Sequence, residues 1–299
     1  MRVLIGYDGS PSADEACDLV AAASWPATTE LRLVAAYQLY LAGTFYAGGV
    51  VDAATADTVF EAEREVAQEH LAVATARIGH PDLSITTAAL DGRPASVIVE
   101  EAATWAADLL VVGSRGRGSF RSSLLGSVSA ELVDQAPCPV LIVRGRSLER
   151  VILAEDGSAG ARGAASLLTW PIFRASHVRV LTVSEATRHA AGGPAEPLAA
   201  GAVDARKRYA EGGREWATDL ATGTSEQLAA SGLAANSAIR EGDAAREIVA
   251  AANEDHADLV VMGTRGRTGF QRLLLGSVAR NVLQHAHCSV LIKREARTG

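Results

Sequence analysis

At 299 residues the chain is too long for one ordinary hydrophobic core and suits two domains of about 150 residues each. Hydrophobic residues at 48% and charged residues at 21% are globular values, which exclude a disordered tail or a fibre. The net charge of −7 argues against a general nucleic-acid or membrane-surface binder, since both need a basic face.

The chain opens on MRVLIGYDGS, a strand pattern with neither a charged leader nor an apolar signal core, so the cytoplasm is the expected compartment. No apolar run approaches the roughly 18–20 residues of a membrane span. Short apolar runs then alternate with amphipathic stretches. Strands are predicted at 2–7, 31–38, 84–90, 109–113 and 139–144, and helices at 11–24, 55–79, 95–106 and 127–136. The order repeats with strands at 150–155, 177–184, 236–241, 258–263 and 289–294. LLVVG and LVVMG are continuous apolar runs, as expected of strands buried on both faces of a parallel sheet. Strand–helix alternation of this kind implies doubly wound α/β domains. The Gly- and Pro-bearing stretch 185–200 and its more aromatic counterpart 39–50 are predicted loops over one edge of the site. Cys17, Cys138 and Cys288 make no disulfide framework and read as small buried hydrophobes.

The repeat is a duplication. Residues 107–144 align with 257–294 without a gap and share 20 of 38 positions. RVLIGYDGS (2–10) falls on RVILAEDGS (150–158), and DGRPASVIVEEA (91–102) on EGDAAREIVAAA (241–252). Two domains follow, 1–146 and 149–296.

Within the repeat lies one glycine frame: GSRGRGSFRSSLLGS (113–127) and GTRGRTGFQRLLLGS (263–277). Gly113 and Gly263 end predicted strands, at the edge where doubly wound sheets bind ligands. Gly116, Gly126, Gly266 and Gly276 lack Cβ and can take unusual dihedrals or let the backbone approach a ligand. Gly126-Ser127 and Gly276-Ser277 open the next helix, whose free N–H groups favour an anion such as phosphate. The hydroxyls of Ser127 and Ser277 add a donor or act as N-caps. Arg115 and Arg117, with Arg265 and Arg267, can neutralise phosphate oxygens. The frame is no P-loop, since no Lys precedes Ser127 or Ser277, and a dinucleotide GxGxxG should follow the first strand instead. Asp8 and Asp156 close the first strands. A carboxylate there can accept bonds from ribose hydroxyls or meet a metal bridging phosphates, and an Asx-type cap explains it as well.

DGS after the first strand, with G-x2-G-x9-G-S after the fourth, resembles the universal stress protein family in its ATP-binding subgroup, and the resemblance covers both halves. It implies two tandem Rossmann-like domains, each a five-stranded parallel sheet of order 3-2-1-4-5 with helices on both faces. The family's nucleotide residues would fall on Gly6, Asp8, Gly113, Ser114, Arg115, Gly116, Arg117, Gly118, Gly126, Ser127 and Val128. In the second half they would fall on Asp156, Gly263, Thr264, Arg265, Gly266, Arg267, Thr268, Gly276, Ser277 and Val278. Adenine would contact the ends of the second strands, at about Ala36 and Val183. One departure is Ala154-Glu155 in place of Gly6-Tyr7, an extra carboxylate that would repel phosphate if it faced inward. The family also pairs through its fifth strands, which implies an internal pseudo-dimer of VLIV (140–143) with VLIK (290–293), and leaves room for a homodimer.

The resemblance favours an ATP-binding regulator of the stress response, with one nucleotide site per half, Mg²⁺ arriving with the triphosphate, and a protein partner yet to be identified. A slow ATP hydrolase or adenylate-using enzyme is the main alternative, though no His lies in either frame and SGGxDS is absent. A cyclic-nucleotide binder and a purely interaction module are the others.

Overall fold

A computed structural model of the chain describes residues 1–38, 53–80, 83–116, 125–184, 200–264 and 275–294. It divides into two compact units, Met1–Arg146 and Ser147–Gly299. The first runs β1 (Arg2–Gly6), α1 (Pro11–Ala22), β2 (Glu30–Tyr37), α2 (Ala53–Ile78), β3 (Ser84–Asp91), α3 (Pro94–Thr104), β4 (Leu109–Gly113), α4 (Ser127–Gln135) and β5 (Val140–Val143). The second runs β6 (Arg150–Ala154), α5 (Ala159–Leu167), a 3₁₀ turn (Pro171–Phe173), β7 (His177–Ser184), α6 (Ala200–Ala230), β8 (Ala234–Glu241), α7 (Ala244–Glu254), β9 (Leu259–Gly263), α8 (Ser277–His285) and β10 (Ser289–Lys293). Every predicted element is found within two residues of its expected ends. The predicted loop 39–50 lies outside the described residues, as does 185–199 of its counterpart, whose last residue, Ala200, begins α6.

Strand order within the first unit is β3-β2-β1-β4-β5, all parallel, and within the second β8-β7-β6-β9-β10, again parallel. The expected order 3-2-1-4-5 holds in both. The central strands are solid hydrocarbon: Val3, Leu4, Ile5, Leu109, Leu110 and Val111 are fully buried. Edge strands β3 and β8 are built from SITTAALD and AANSAIRE and stay largely in contact with water. Such central strands bury both faces, so helices must cover both. In the first unit α1 packs with α2 against β4, β2 and β3, while α3 packs with α4.

Local chemistry sets the helix starts. Ser10 caps α1 by accepting the Ala13 N–H, with Pro11 at the first helical position. Ser158 caps α5 through Ala161, and Asp243 caps α7 through Arg246. Arg77 at the end of α2 grips Asp18 of α1 with two bonds of 2.5 and 3.0 Å and reaches Asp14 at 3.3 Å. The guanidinium holds the Asp18 carboxyl below the usual carboxylate range. All three cysteines are buried thiols, and burial pushes Cys17 up to about 12.

Candidate functional site

Sheet order reverses between β1 and β4, because the chain leaves β1 toward β2 and later returns to its other side. The crevice beyond the carboxyl ends of these strands is where open α/β sheets hold ligands. Asp8 follows β1 and Gly113 ends β4, so the two motifs quoted from the sequence flank this point. The second unit places Asp156 after β6 and Gly263 at the end of β9 in the same relation.

The loop after β4 is closed at its base by one backbone bond, in which Gly126 N–H donates to the Ser114 carbonyl at 2.7 Å. Gly276 N–H donates to the Thr264 carbonyl, also at 2.7 Å. Ser114 and Thr264 are buried, whereas Arg115 and Gly116 face water. Ser10 Oγ donates to the Arg115 carbonyl at 3.2 Å, which ties the loop after β1 to the glycine frame. Ser129, which sequence reasoning passed over, donates its buried hydroxyl to the Gly113 carbonyl at 2.8 Å.

Two expectations are corrected. The described frame glycines do not adopt left-handed backbone. Among the described residues, positive φ falls instead on glycines such as Gly9 (+73°) and Gly157 (+75°), the second residue of each DGS. What Gly113 and Gly263 need is space. A Cβ on Gly113 would stand 2.5 Å from the Ser12 carbonyl carbon, and one on Gly263 would stand 2.6 Å from that of Gly160. The first turn of α1 or α5 therefore lies directly on the strand end. Secondly, Ser127 and Ser277 are not N-caps. Gly126 (φ −76°, ψ 157°) and Gly276 (φ −68°, ψ 159°) hold the cap position, and no side chain caps either helix. The serines sit one step inside, on helix starts whose N–H groups and dipole favour an anion. The extra carboxylate Glu155, whose direction the sequence left open, is buried: it is 2% exposed, and its Oε1 accepts the Gly157 N–H at 2.7 Å.

Asp8 Oδ1 accepts the Ser10 N–H at 3.0 Å, and Asp156 Oδ1 accepts the Ser158 N–H at 3.0 Å, the Asx geometry anticipated as one reading of these residues. The other Asp8 oxygen borders Gly116, where a Cβ would stand 2.7 Å from Oδ2. Ala36 and Val183 lie two residues beyond the register partners of the last residues of β1 and β6, Val34 and Leu181. The sheet register thus makes them equivalent and half-exposed at the crevice edge. Arg117, Gly118, Arg265, Gly266, Arg267 and Thr268 lie outside the described residues. Among the described residues no group of three or more His, Cys, Asp or Glu is placed to hold a metal ion, and no helix is long and apolar enough to cross a membrane.

These features define a class, the tandem Rossmann-like α/β proteins with an anion-ready helix start at each strand-order switch. The family model for the universal stress protein family matches residues 1–144 and again 148–294, and the chain belongs to that family. A universal stress protein of Thermus aquaticus is 35% identical over 145 residues, covering 48% of this chain and 97% of that one. A universal stress protein of Mycobacterium tuberculosis is 29% identical over 197 residues, and the match spans 64% of this chain and 62% of that relative. With a Methanocaldococcus jannaschii universal stress protein the match is 47% over 66 residues, only 39% of that relative's length. In fold, the chain is similar to the crystal structure of a universal stress protein from Archaeoglobus fulgidus, with a TM-score of 0.65 at 18% identity over 98% of both chains.

Proposed function

We propose that the chain is an ATP-binding regulator of the stress response, acting in the cytoplasm with one nucleotide site in each unit. The observation that carries this reading is the twin construction at the two switch points. In each unit a loop pinned by a 2.7 Å backbone bond leads into a helix start that no side chain caps, beside a carboxylate held in one orientation by its own loop. α1, α5 and α7 each carry one side-chain cap at their starts, whereas α4 and α8, like α3, carry none; α4 and α8 differ from α3 in opening at the switch points, where a phosphate would take that place.

The residues present fit the ligand. Main-chain N–H groups at Ser127 and Val128, or Ser277 and Val278, would hold the phosphates, with Arg115 adding charge in the first unit. Arg117, Arg265 and Arg267 would do the same from the remainder of the frame. Asp8 and Asp156 would accept the ribose hydroxyls, and the backbone beside Gly116 would come within reach because no Cβ intervenes. Ala36 and Val183 would border the adenine. Mg²⁺ would enter on the triphosphate itself. Closure of these loops on ATP would change the surface offered to a protein partner.

Equilibrium dialysis of the purified chain against radiolabelled ATP tests this reading, with two moles bound per chain expected; no binding above background overturns it. Hydrogen exchange across 114–126 and 264–276 should slow with ATP. The fifth-strand pairing belongs to the same proposal: residues 1–146 alone, with the β5 edge left open, should self-associate in sedimentation, and a strict monomer would count against it.

A further inference from the structure

The two units solve one local problem with different chemistry. In the first, Tyr7 and Asp14 form a pair, the phenol donating to Asp14 Oδ1 at 2.7 Å. The repeat puts Glu155 at the place of Tyr7 and Arg162 at the place of Asp14. Both replacements converge on Gly157: Glu155 Oε1 accepts its N–H at 2.7 Å, and Arg162 Nη1 donates to its carbonyl at 2.6 Å. Gly157 separates Asp156 from the Ser158 N–H that orients it. Glu155 is 2% exposed, and its second oxygen, Oε2, is buried without a hydrogen-bond partner among the described residues.

We propose that Glu155 and Arg162 form a proton-sensitive clamp on Gly157 that positions Asp156, so that nucleotide affinity falls with rising pH in the second unit and not in the first. The inference rests on the nucleotide reading of both sites.

A buried carboxylate with an unmet oxygen favours its neutral form. Burial pushes the Glu155 carboxyl upward, and the Asp156 charge acts in the same direction. The Gly157 and Asp156 N–H groups and the Arg162 charge oppose this without reversing it. The α6 side chains flanking Gly157, Trp216 and Leu220, carry no charge. Glu155 follows β6 at the carboxyl edge of the sheet, so negative phosphates arriving in that crevice would add one more repulsive neighbour to its ionised form. Ligand binding and protonation therefore favour each other, and that coupling is reciprocal. The first unit makes a fixed reference, because burial and the bond to Asp14 hold the Tyr7 phenol well above its ordinary value and keep it neutral.

The test measures MgATP affinity by calorimetry from pH 5.5 to 8 on two full-length chains. Gly116→Val blocks the first site, with Asp8→Ala as the substitute if that variant does not fold, and Asp156→Ala blocks the second. The ratio of the two affinities cancels the titration of ATP itself. We expect second-site affinity to fall relative to the first as pH rises, by at most roughly tenfold per pH unit for one linked proton, and a wild-type ratio that stays flat overturns the clamp. Glu155→Gln should flatten the ratio. The double change Glu155→Tyr with Arg162→Asp, which rebuilds the first unit's pair, should do the same. An identical fall in the Gln chain overturns the clamp alone. Absence of ATP binding in the wild-type chain overturns the nucleotide reading and the clamp with it.

Discussion

Gly113 and Gly116 stand three residues apart in one motif, yet the structure gives them different work, and alanine at each separates the two. A Cβ on Gly113 meets backbone at three points: the Ser12 carbonyl carbon at 2.5 Å, its oxygen at 2.6 Å and the Ala13 nitrogen at 2.8 Å. Ordinary carbon contacts lie at roughly 3.5–4.0 Å, so the first turn of α1 must retreat by about 1 Å. It has little freedom to do so, because Ala13, Ala16, Cys17 and Leu19 are buried beneath it and Ser10 ties its start to Arg115. Overpacking of this kind costs about 1–3 kcal/mol, offset by roughly 0.4–1 kcal/mol from a stiffer unfolded chain. The net loss of about 1–2 kcal/mol should lower the melting temperature of the first unit by roughly 2–8 °C. Gly263→Ala should do the same to the second unit, where the obstacle is the Gly160–Ala161 backbone. Among the described residues a Cβ on Gly116 instead meets the Asp8 carboxylate, at 2.7 Å to Oδ2, and that oxygen can turn aside while Oδ1 stays on the Ser10 N–H. Gly116→Ala should therefore melt within about 1–2 °C of wild type while losing about tenfold in ATP affinity at the first site, the worth of one hydrogen bond. Calorimetric unfolding and titration on the same samples decide it. If Gly113→Ala melts like wild type, or Gly116→Ala is the less stable of the two, the division between a packing glycine and a ligand glycine is wrong.

Three further outcomes are expected. Glu155→Gln should stabilise the ligand-free chain increasingly as pH rises. The native carboxyl sits above its ordinary value, so its contribution is full below roughly pH 4.3 and is lost as pH climbs through the folded value; a gap between variant and wild type that does not widen from pH 4 to pH 8 refutes this. Asp14→Ala leaves the nearly buried Tyr7 hydroxyl without its acceptor and should cost about 1–3 kcal/mol in urea titrations, whereas Asp14→Asn, which keeps an oxygen, should recover most of that. Among the described residues a Cβ on Gly126 would meet nothing nearer than 3.4 Å, so Gly126→Val should fold normally and lose ATP at the first site; retained binding there would exclude the start of α4 as the phosphate seat.

The fold was open to reading because its information is local and redundant. LLVVG and LVVMG, short apolar runs between turn signals, read as strands buried on both faces, and the second copy of each pattern checks the first. Site placement followed, since chain order fixed the switch point and the repeat fixed the glycine frame. Helix-start detail did not follow. Gly-Ser before a helix allows either residue to cap, and propensity favours the serine. The backbone decides otherwise, because the bond from Gly126 N–H to Ser114 holds Gly126 in the extended cap conformation and moves Ser127 inside the helix. The glycine frame likewise looked wholly like ligand space, although Gly113 and Gly263 are obliged to be glycine by a helix start that is distant in sequence. Where Glu155 turns depends on Gly157 and on Arg162 seven residues away. The sequence holds the exchange of Tyr7 and Asp14 for Glu155 and Arg162, but nothing linear shows that both new side chains end on one peptide group.

That exchange also explains which parts of the duplication have drifted. A carbonyl-to-amide bond closing a loop, or a position where a Cβ would strike backbone at 2.5 Å, has no substitute among the other side chains; the 2.7 Å closure and both strand-end glycines accordingly stand in each half. A side-chain pair can be replaced by another pair provided both members change together, because one new member alone leaves a buried polar group unmet. Tyr7 with Asp14 and Glu155 with Arg162 are two self-consistent solutions, and the single exchanges between them are not. Tyr7→Glu alone would set a second carboxylate facing Asp14 inside the first unit, and Glu155→Tyr alone would leave a phenol facing Arg162. Each single variant should therefore be less stable than its matching double, Tyr7→Glu with Asp14→Arg or Glu155→Tyr with Arg162→Asp. A double-mutant cycle in either unit measures this directly, and additive effects would show that the two positions never formed a pair.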